Sequence, residues 1–410
     1  MSAVLTPLRE PVFRWLITGR GCAELANGIA PVALAFAVLD MTGSLVDLGI
    51  VVGARSTAVV VLVLFGGMLA DRLPRAVILQ GTGLVAATTQ AALAAAVLGQ
   101  FVSLPLLVVL GVVNGTASAM SLPAAAALTP QTVPPNLLTQ ANALARVGVN
   151  TGRFTGAAAG GVLVGALGSG WAMAVNACLF LFAAFAYRQV RVPRPERAAK
   201  VGVLRDLADG WREFTEHTWV WVVVLQFMVV NAVLSGGVVV LGPAIADQTV
   251  GRAAWGFVVG AQTLGALVGG VVVARFRPKR ALLVGVALIT AEALPLVVLA
   301  ELPHLVPLLA AMFVVGMTTE VFVVAWDVSL QQNIPPQKLA RVYSYDMLGS
   351  FIAIPIGQVA AGPLGGRFGT GPTLLAGAAV VVTATLLAVC SRDVRRLRRR
   401  DPEPIPTETH

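Results

Sequence analysis

The sequence predicts an all-α membrane protein of twelve transmembrane helices in two pseudo-symmetric six-helix bundles, and three observations carry that prediction. Of the 410 residues, 57% are hydrophobic and 12% charged, and the mean hydropathy is +0.83, whereas a soluble domain has about a quarter of its residues charged. Apolar stretches of roughly 20 residues, the length an α-helix needs to cross the hydrocarbon, recur along nearly the whole chain. A motif ahead of the fifth stretch returns ahead of the eleventh, which relates the two halves.

The first span, 12–39, runs past the length of a signal-peptide core and has no small-residue cleavage site, so it is expected to be retained. The second, 46–70, contains "VVVLVLFGG", a continuous apolar run; a barrel strand would alternate, so the spans are helices. Spans three to six cover 76–98, 103–128, 138–166 and 168–187. The longest internal polar stretch follows at 191–216 and splits the spans six and six. The remaining spans cover 217–246, 253–274, 280–300, 304–328, 339–366 and 372–391. The expected organisation is an N-terminal bundle (1–190), a linker (191–216), a C-terminal bundle (217–391) and a basic, then Pro- and Glu-containing tail (392–410).

Charge sets the orientation, because Lys and Arg near span ends stay on the cytoplasmic side. With the N-terminus inside, 23 of the 29 basic residues fall at cytoplasmic ends, Arg252 and Arg367 fall outside, and Arg20, Arg55, Arg146 and Arg153 lie within spans. Both termini are therefore expected in the cytoplasm and the chain in the plasma (inner) membrane. The net charge of +9 then reflects topology and attraction to anionic headgroups, not nucleic-acid binding. In the linker, Val203, Leu204, Leu207, Ala208, Trp211 and Phe214 share one helical face, which predicts an amphipathic segment on the inner membrane surface.

The repeat is gap-free. "QTVPPNLLTQ" from Gln131 and "QNIPPQKLAR" from Gln332 align at a constant offset of 201 residues, with Pro134 and Pro135 over Pro335 and Pro336, Leu138 over Leu339, Gly156 over Gly357 and Gly161 over Gly362. Membrane proteins built as paired repeats hold their ligand sites between the halves near the midplane. On the fifth span, Gly152, Gly156, Gly160 and Gly161 form a ridge without side chains, which lets another helix approach closely, either to rock or simply to pack.

Charges within the spans mark candidate sites, since an ionisable group at membrane depth costs at least a few kcal/mol. Glu24 lies about 16 Å along its helix from Phe13, near the midplane. Arg20 is one turn earlier, and Arg55 and Arg153 lie at similar depth, so the four are expected to line one cavity. Glu24 is then a proton-exchanging carboxylate, an anchor for a cationic substrate, or the fixed partner of an arginine. A second group is expected near the cytoplasmic ends. Asp71, Arg72 and Arg75 in "GGMLADRLPR" would latch onto the start of the eleventh span at Arg341, and Arg146, Glu320, Asp327 and Asp346 would form a gate between the halves. Glu292, on the ninth span, is left out of both groups.

Enzymatic chemistry has no support in the sequence. None of Lys200, Lys279 and Lys338 sits in a phosphate-binding loop, and His217, His304 and His410 are isolated, so no His-Glu-x-x-His zinc motif exists; a Gly-x-Ser-x-Gly elbow is also missing. Cys22, Cys178 and Cys390 form neither a disulfide frame nor a metal site. No cofactor or metal is expected, and the energy would come from an ion gradient or from the substrate's own.

Together, the six-plus-six pattern and "GGMLADRLPR" after the second span resemble the major facilitator superfamily. Gly67, Leu69, Ala70, Asp71, Arg72 and Arg75 fit its motif, with Pro74 in place of the usual Gly and Ala76 in place of a common Lys. "GRFTGAAAGGVL" resembles the antiporter motif of that superfamily through Gly152, Gly156, Gly160, Gly161 and Leu163, with Ala157 for the habitual Pro. "GIAPVALAFAVLD" and "IGQVAAGPLGG" look like the drug/proton antiporter subgroup that includes macrolide and enterobactin exporters. The resemblance implies a secondary transporter that exports a small amphiphilic molecule against protons by alternating access, with the bilayer and its substrate as partners and a monomer as its working form. Uptake by symport or uniport is the alternative, and a receptor that transports nothing a more distant one. Two departures stand out. Gly111 occupies the place of the fourth-helix arginine of many drug/proton antiporters, and Glu24 and Asn27 stand where related exporters are usually apolar and often Asp.

Overall fold

A computed structural model describes residues 3–70, 74–192, 211–212, 214–276 and 278–397. Helices α1 to α6 run over Pro11–Thr42, Leu45–Ala70, Arg75–Leu98, Leu104–Leu128, Leu138–Leu167 and Ser169–Arg188. Helix α7 is Thr218–Leu234 continued through a π-helical turn, Ser235–Leu241, into Gly242–Gln248. Helix α8 is Arg252–Arg275, and α9 is Ala281–Leu288 and Leu294–Glu301 joined by a 3-10 segment, Ile289–Ala293. Helix α10 is Leu305–Asn333, α11 is Pro336–Phe351 and Ile354–Phe368, and α12 is Thr370–Cys390. These elements agree with the expected spans to within a few residues, except that α10 continues through Gln331, Gln332 and Asn333 beyond its apolar run.

Proline explains the breaks. Pro295 cannot donate to Ala291, and the N–H of Leu294 takes that carbonyl instead in a 3-10 bond. In α11 the helix turns at 352–353, just before Pro355, and in α7 the π turn precedes Pro243. The tight turns after α5 and α11 each use a glycine at positive φ, Gly168 at 86° and Gly369 at 88°, a conformation closed to most side chains. These two glycines are also 201 residues apart, so the repeat extends to its turns.

Within the first bundle α1 packs on α5 and α6, α3 on α4 and α6, and α2 on α4; in the second α8 packs on α10, α7 on α11 and α12, and α9 on α10 and α12. Two long seams join the bundles, α5 against α8 and α2 against α11. Lipid offers no hydrophobic drive for such contacts, so close backbone packing must supply the attraction. The repeated glycines divide this work. A Cβ on Gly156 would strike the carbonyl oxygen of Leu25 on α1, and one on its repeat mate Gly357 that of Ala232 on α7, both within a bundle. A Cβ on Gly161 would lie 2.8 Å from the Ala253 oxygen on α8, and one on Gly362 2.6 Å from the Leu45 oxygen on α2, both across the bundles.

Inside the second bundle, α8 and α10 approach closely enough that a Cβ at Gly316 would strike the carbonyl oxygen of Gln262. Gly316→Val is therefore expected to lower stability by about 1–3 kcal/mol through overpacking. The thermal midpoint of the purified protein in detergent checks this, and an unshifted midpoint would refute so close an approach.

The linker expectation lies mostly outside the described residues, which exclude Val203, Leu204, Leu207 and Ala208. The part that is described turns toward the protein. Trp211 and Phe214 stack on each other at 5.8 Å, and their rings sit 5.6 and 5.8 Å from Tyr345 of α11. Phe214 is buried, so the end of this segment docks on the second bundle.

Candidate functional site

Eleven helices among the described residues are long and apolar enough to cross a membrane, and α5 is not among them. Its 30 residues suffice in length; what it lacks is apolarity. Asn142, Arg146 and Arg153 fall on one face at spacings of four and seven, while Gly152, Gly156 and Gly160 turn to α1, and Gly161 with Gly165 turns to α8. The single ridge expected from sequence is thus two ridges, with a polar face between the bundles.

Two ion pairs stand on that face. Arg153 donates from Nε to Oε2 of Glu24 at 2.7 Å, with the Glu24 side chain 14% exposed and that of Arg153 51%. Arg146 donates from Nη2 to Oε1 of Glu320 on α10 at 2.8 Å, across the bundles, with its own side chain 72% exposed. A guanidinium on a packed helix that remains this accessible faces open space. Both pairs contain an accessible arginine, and such contacts contribute only about 0–1 kcal/mol each. They can therefore break and re-form cheaply.

Other expected residues are placed elsewhere. Arg55 does not join Glu24 and Arg153; its Nε donates to Oδ1 of Asn114 on α4 at 3.3 Å, and Asn114 donates on to Thr89 of α3 at 3.3 Å. The bare face of Gly111 lies against Arg55, with 3.7 Å between the arginine Cβ and a Cβ built there. Arg20 forms no ion pair with Glu24 among the described residues, and its Nε is buried without a hydrogen-bond partner. Asp327 and Asp346 do not bridge the bundles. Tyr343 on α11 donates its hydroxyl to Asp327 at 2.9 Å, and Trp326 on α10 donates Nε1–H to Asp346 at 2.9 Å, so both carboxylates tie α10 to α11. Asp71 and Arg72 of the expected latch lie outside the described residues; Arg75 and Arg341 both have polar partners.

A site not anticipated from sequence closes the face opposite the termini. Arg252, at the start of α8, lies 2.6 Å from Asp40 at the end of α1 and 2.7 Å from Asp247, and its guanidinium stands 5.0 Å from the centroid of the Phe36 ring. The signal was an arginine alone at a span end, opposite a span ending in Asp. The two glycine seams lie toward this same face, whereas Arg146 and Glu320 lie nearer the terminal face. Among the described residues, the Arg252 contacts clasp the bundles at one end, and the Arg146–Glu320 pair bridges them toward the other. Among the described residues no cluster of His, Cys, Asp and Glu is placed to hold a metal, and the three cysteines are free.

A family model described as the Major Facilitator Superfamily matches residues 16–357. The multidrug efflux pump Tap of Mycolicibacterium fortuitum is 27% identical over 416 residues, covering 96% of this chain and 97% of that one. Among solved structures, the nucleoside transporter NupG superposes with a TM-score of 0.78 at 13% identity, over 94% of this chain and 99% of its own. A bacterial homologue of the human lysosomal transporter Spinster, inward-facing and unoccupied, superposes with a TM-score of 0.72 at 16% identity, over 94% and 98%.

Proposed function

Because the chain belongs to the Major Facilitator Superfamily, we propose that it exports a small amphiphilic molecule across the plasma (inner) membrane in exchange for protons, with both termini in the cytoplasm. The observation that carries this reading is the Glu24–Arg153 pair, held at mid-depth on a polar face of α5 between two clasped bundles. With the termini inside, the clasp at Arg252 is the outer gate and the conformation is inward-facing, ready to load from the cytoplasm or inner leaflet. Substrate with a cationic or hydrogen-bonding group competes for Glu24 and loosens Arg153. The bundles then rock, so that the glycine seams and the Arg252 contacts part while the contacts on the terminal side close. The likeness to a drug efflux pump supports export over uptake.

Inverted membrane vesicles test this. Ethidium should accumulate inside them when the interior is acidified, and accumulation should collapse when a protonophore dissipates the gradient. Accumulation independent of the gradient would remove proton antiport, and movement only in the opposite direction would remove export.

A further inference from the structure

Glu292 is the buried carboxyl that this mechanism leaves unused. It sits in the 3-10 segment of α9 with its residue 3% exposed, inside the second bundle, and Oε2 has no hydrogen-bond partner among the described residues. Oε1 contacts the hydroxyl of Thr319 on α10, and that same hydroxyl stands 2.8 Å from the carbonyl oxygen of Val315. A threonine hydroxyl has one proton. Shared between Val315 and Glu292 that one proton serves each acceptor only partly, and a full hydrogen bond in both contacts needs a second proton, which neither a carbonyl nor a carboxylate can supply. If the threonine donates to Val315, the acid must donate to the threonine.

The surroundings agree. The 3-10 segment packs on α10 and α12. Helix α12 has no charged side chain between Thr370 and Cys390. On α10 the charged groups are Glu320, which pairs with Arg146, and Asp327, which accepts from Tyr343. No cation faces Glu292 from either helix, and an ionised carboxyl in such a place costs several kcal/mol. Glu24 and Glu320, by contrast, each have an arginine, as do Asp40 and Asp247.

We infer that Glu292 is a proton-binding site of the second bundle, filled in the outward-facing conformation, still filled on arrival in this inward-facing one, and emptied from here to the cytoplasm. Loading makes one O–H bond with a proton taken from the outer aqueous phase, and unloading returns it to the cytoplasm; no other bond changes. The consequence reaches the bundle interface through adjacent residues. Losing the proton leaves one hydroxyl proton between Val315 and Glu292, which pulls Thr319 off its helical acceptor. The next residue is Glu320, whose carboxylate bridges to Arg146. Protonation of Glu292 therefore biases where α10 presents Glu320, and the segment that must give is already broken by Pro295.

This inference rests on the proton-antiport reading, and the test separates the two. Glu292→Gln keeps the shape and a donor for Thr319 but cannot exchange a proton. In proteoliposomes the variant should retain exchange of labelled for unlabelled ethidium within about twofold of the parent while losing at least tenfold of its gradient-driven accumulation. A parent that ignores the gradient would sink the antiport reading; a parent that responds beside a Glu292→Gln variant that responds equally would overturn the assignment of Glu292 alone. Infrared spectra at neutral pH give an independent readout. The parent should show a protonated-carboxyl band that the variant lacks, and identical carboxyl regions would overturn the inference. Should Glu292→Gln not fold, Thr319→Val serves, since it removes the acceptor of the acid proton and must shift that band; an unshifted band would be equally damaging.

Discussion

Arg153→Ala is expected to reduce gradient-driven ethidium transport at least tenfold while the protein still inserts and purifies normally. The guanidinium is half exposed and its removal costs little packing, but it leaves the mostly buried Glu24 carboxylate without its cation, so stability should fall by about 1–3 kcal/mol. Function is another matter. Glu24 is 14% exposed and holds the one carboxylate of the pair at mid-depth, so without Arg153 it has lost the partner that substrate is supposed to displace. A site whose occupant must outcompete an arginine differs from one with no competitor. The variant should bind cationic dye as tightly as the parent or tighter and release it slowly, so turnover falls while apparent affinity does not. The exchanged pair, Glu24→Arg with Arg153→Glu, rebuilds the contact with its direction reversed and should recover part of the loss; the interaction energy comes from the double-mutant cycle. Transport of Arg153→Ala at the parental rate would show that the pair is structural, and the central site would have to be sought elsewhere.

Most of the architecture was legible in the chain because a membrane imposes a length and a polarity on each span. Even the pseudo-symmetry was readable, from two Pro-Pro turns at a fixed offset. The partners of the charges were not. Spacing places Arg20, Glu24, Arg55 and Arg153 at similar depth, but depth does not fix azimuth around the bundle: Arg55 turns to Asn114 on α4, and Glu24 alone meets Arg153. Asp327 and Asp346 were assigned to a gate between halves on the same reasoning, and their donors, Tyr343 and Trp326, are aromatic side chains that a search for opposite charges passes over. Glu292 joins neither of the charge groups that spacing suggests. Its significance lies in a hydroxyl twenty-seven positions away in sequence, which no local pattern can reveal. Polarity itself was the better guide: α5 falls short of a membrane span in apolarity because three of its faces answer to α1, α8 and open space.

Gly161→Leu and Gly362→Leu are expected to have the largest effect of any substitution at the bundle interface, and an equivalent one, because the repeat places them at equivalent points of two seams. Atoms added at Gly161 meet Ala253 and Gly256, each backbone contact at 2.8 Å; atoms added at Gly362 meet Leu45 and Val46 at 2.6 Å. Backbone cannot swing aside as a side chain can, so the bundles must separate at the clasped face. An overpacking penalty of about 1–3 kcal/mol would fall on the clasped conformation alone, which corresponds to a roughly 5- to 150-fold shift in population. The penalty is relieved when the face opens, so the protein should remain folded yet stall. Two measurements read this shift together: transport should fall by at least tenfold, and a cysteine at Asn150, between Arg146 and Arg153 on the polar face of α5, should become less reactive to reagent added from the terminal face. Gly366→Leu is the control, on the same helix as Gly362 but with nothing within 4 Å of its Cβ position, and it should transport as the parent does. If Gly366→Leu and Gly362→Leu lose activity alike, crowding of α11 by lipid and not closure of the seam would account for both. If neither does, the two bundles do not close on these glycines during the cycle.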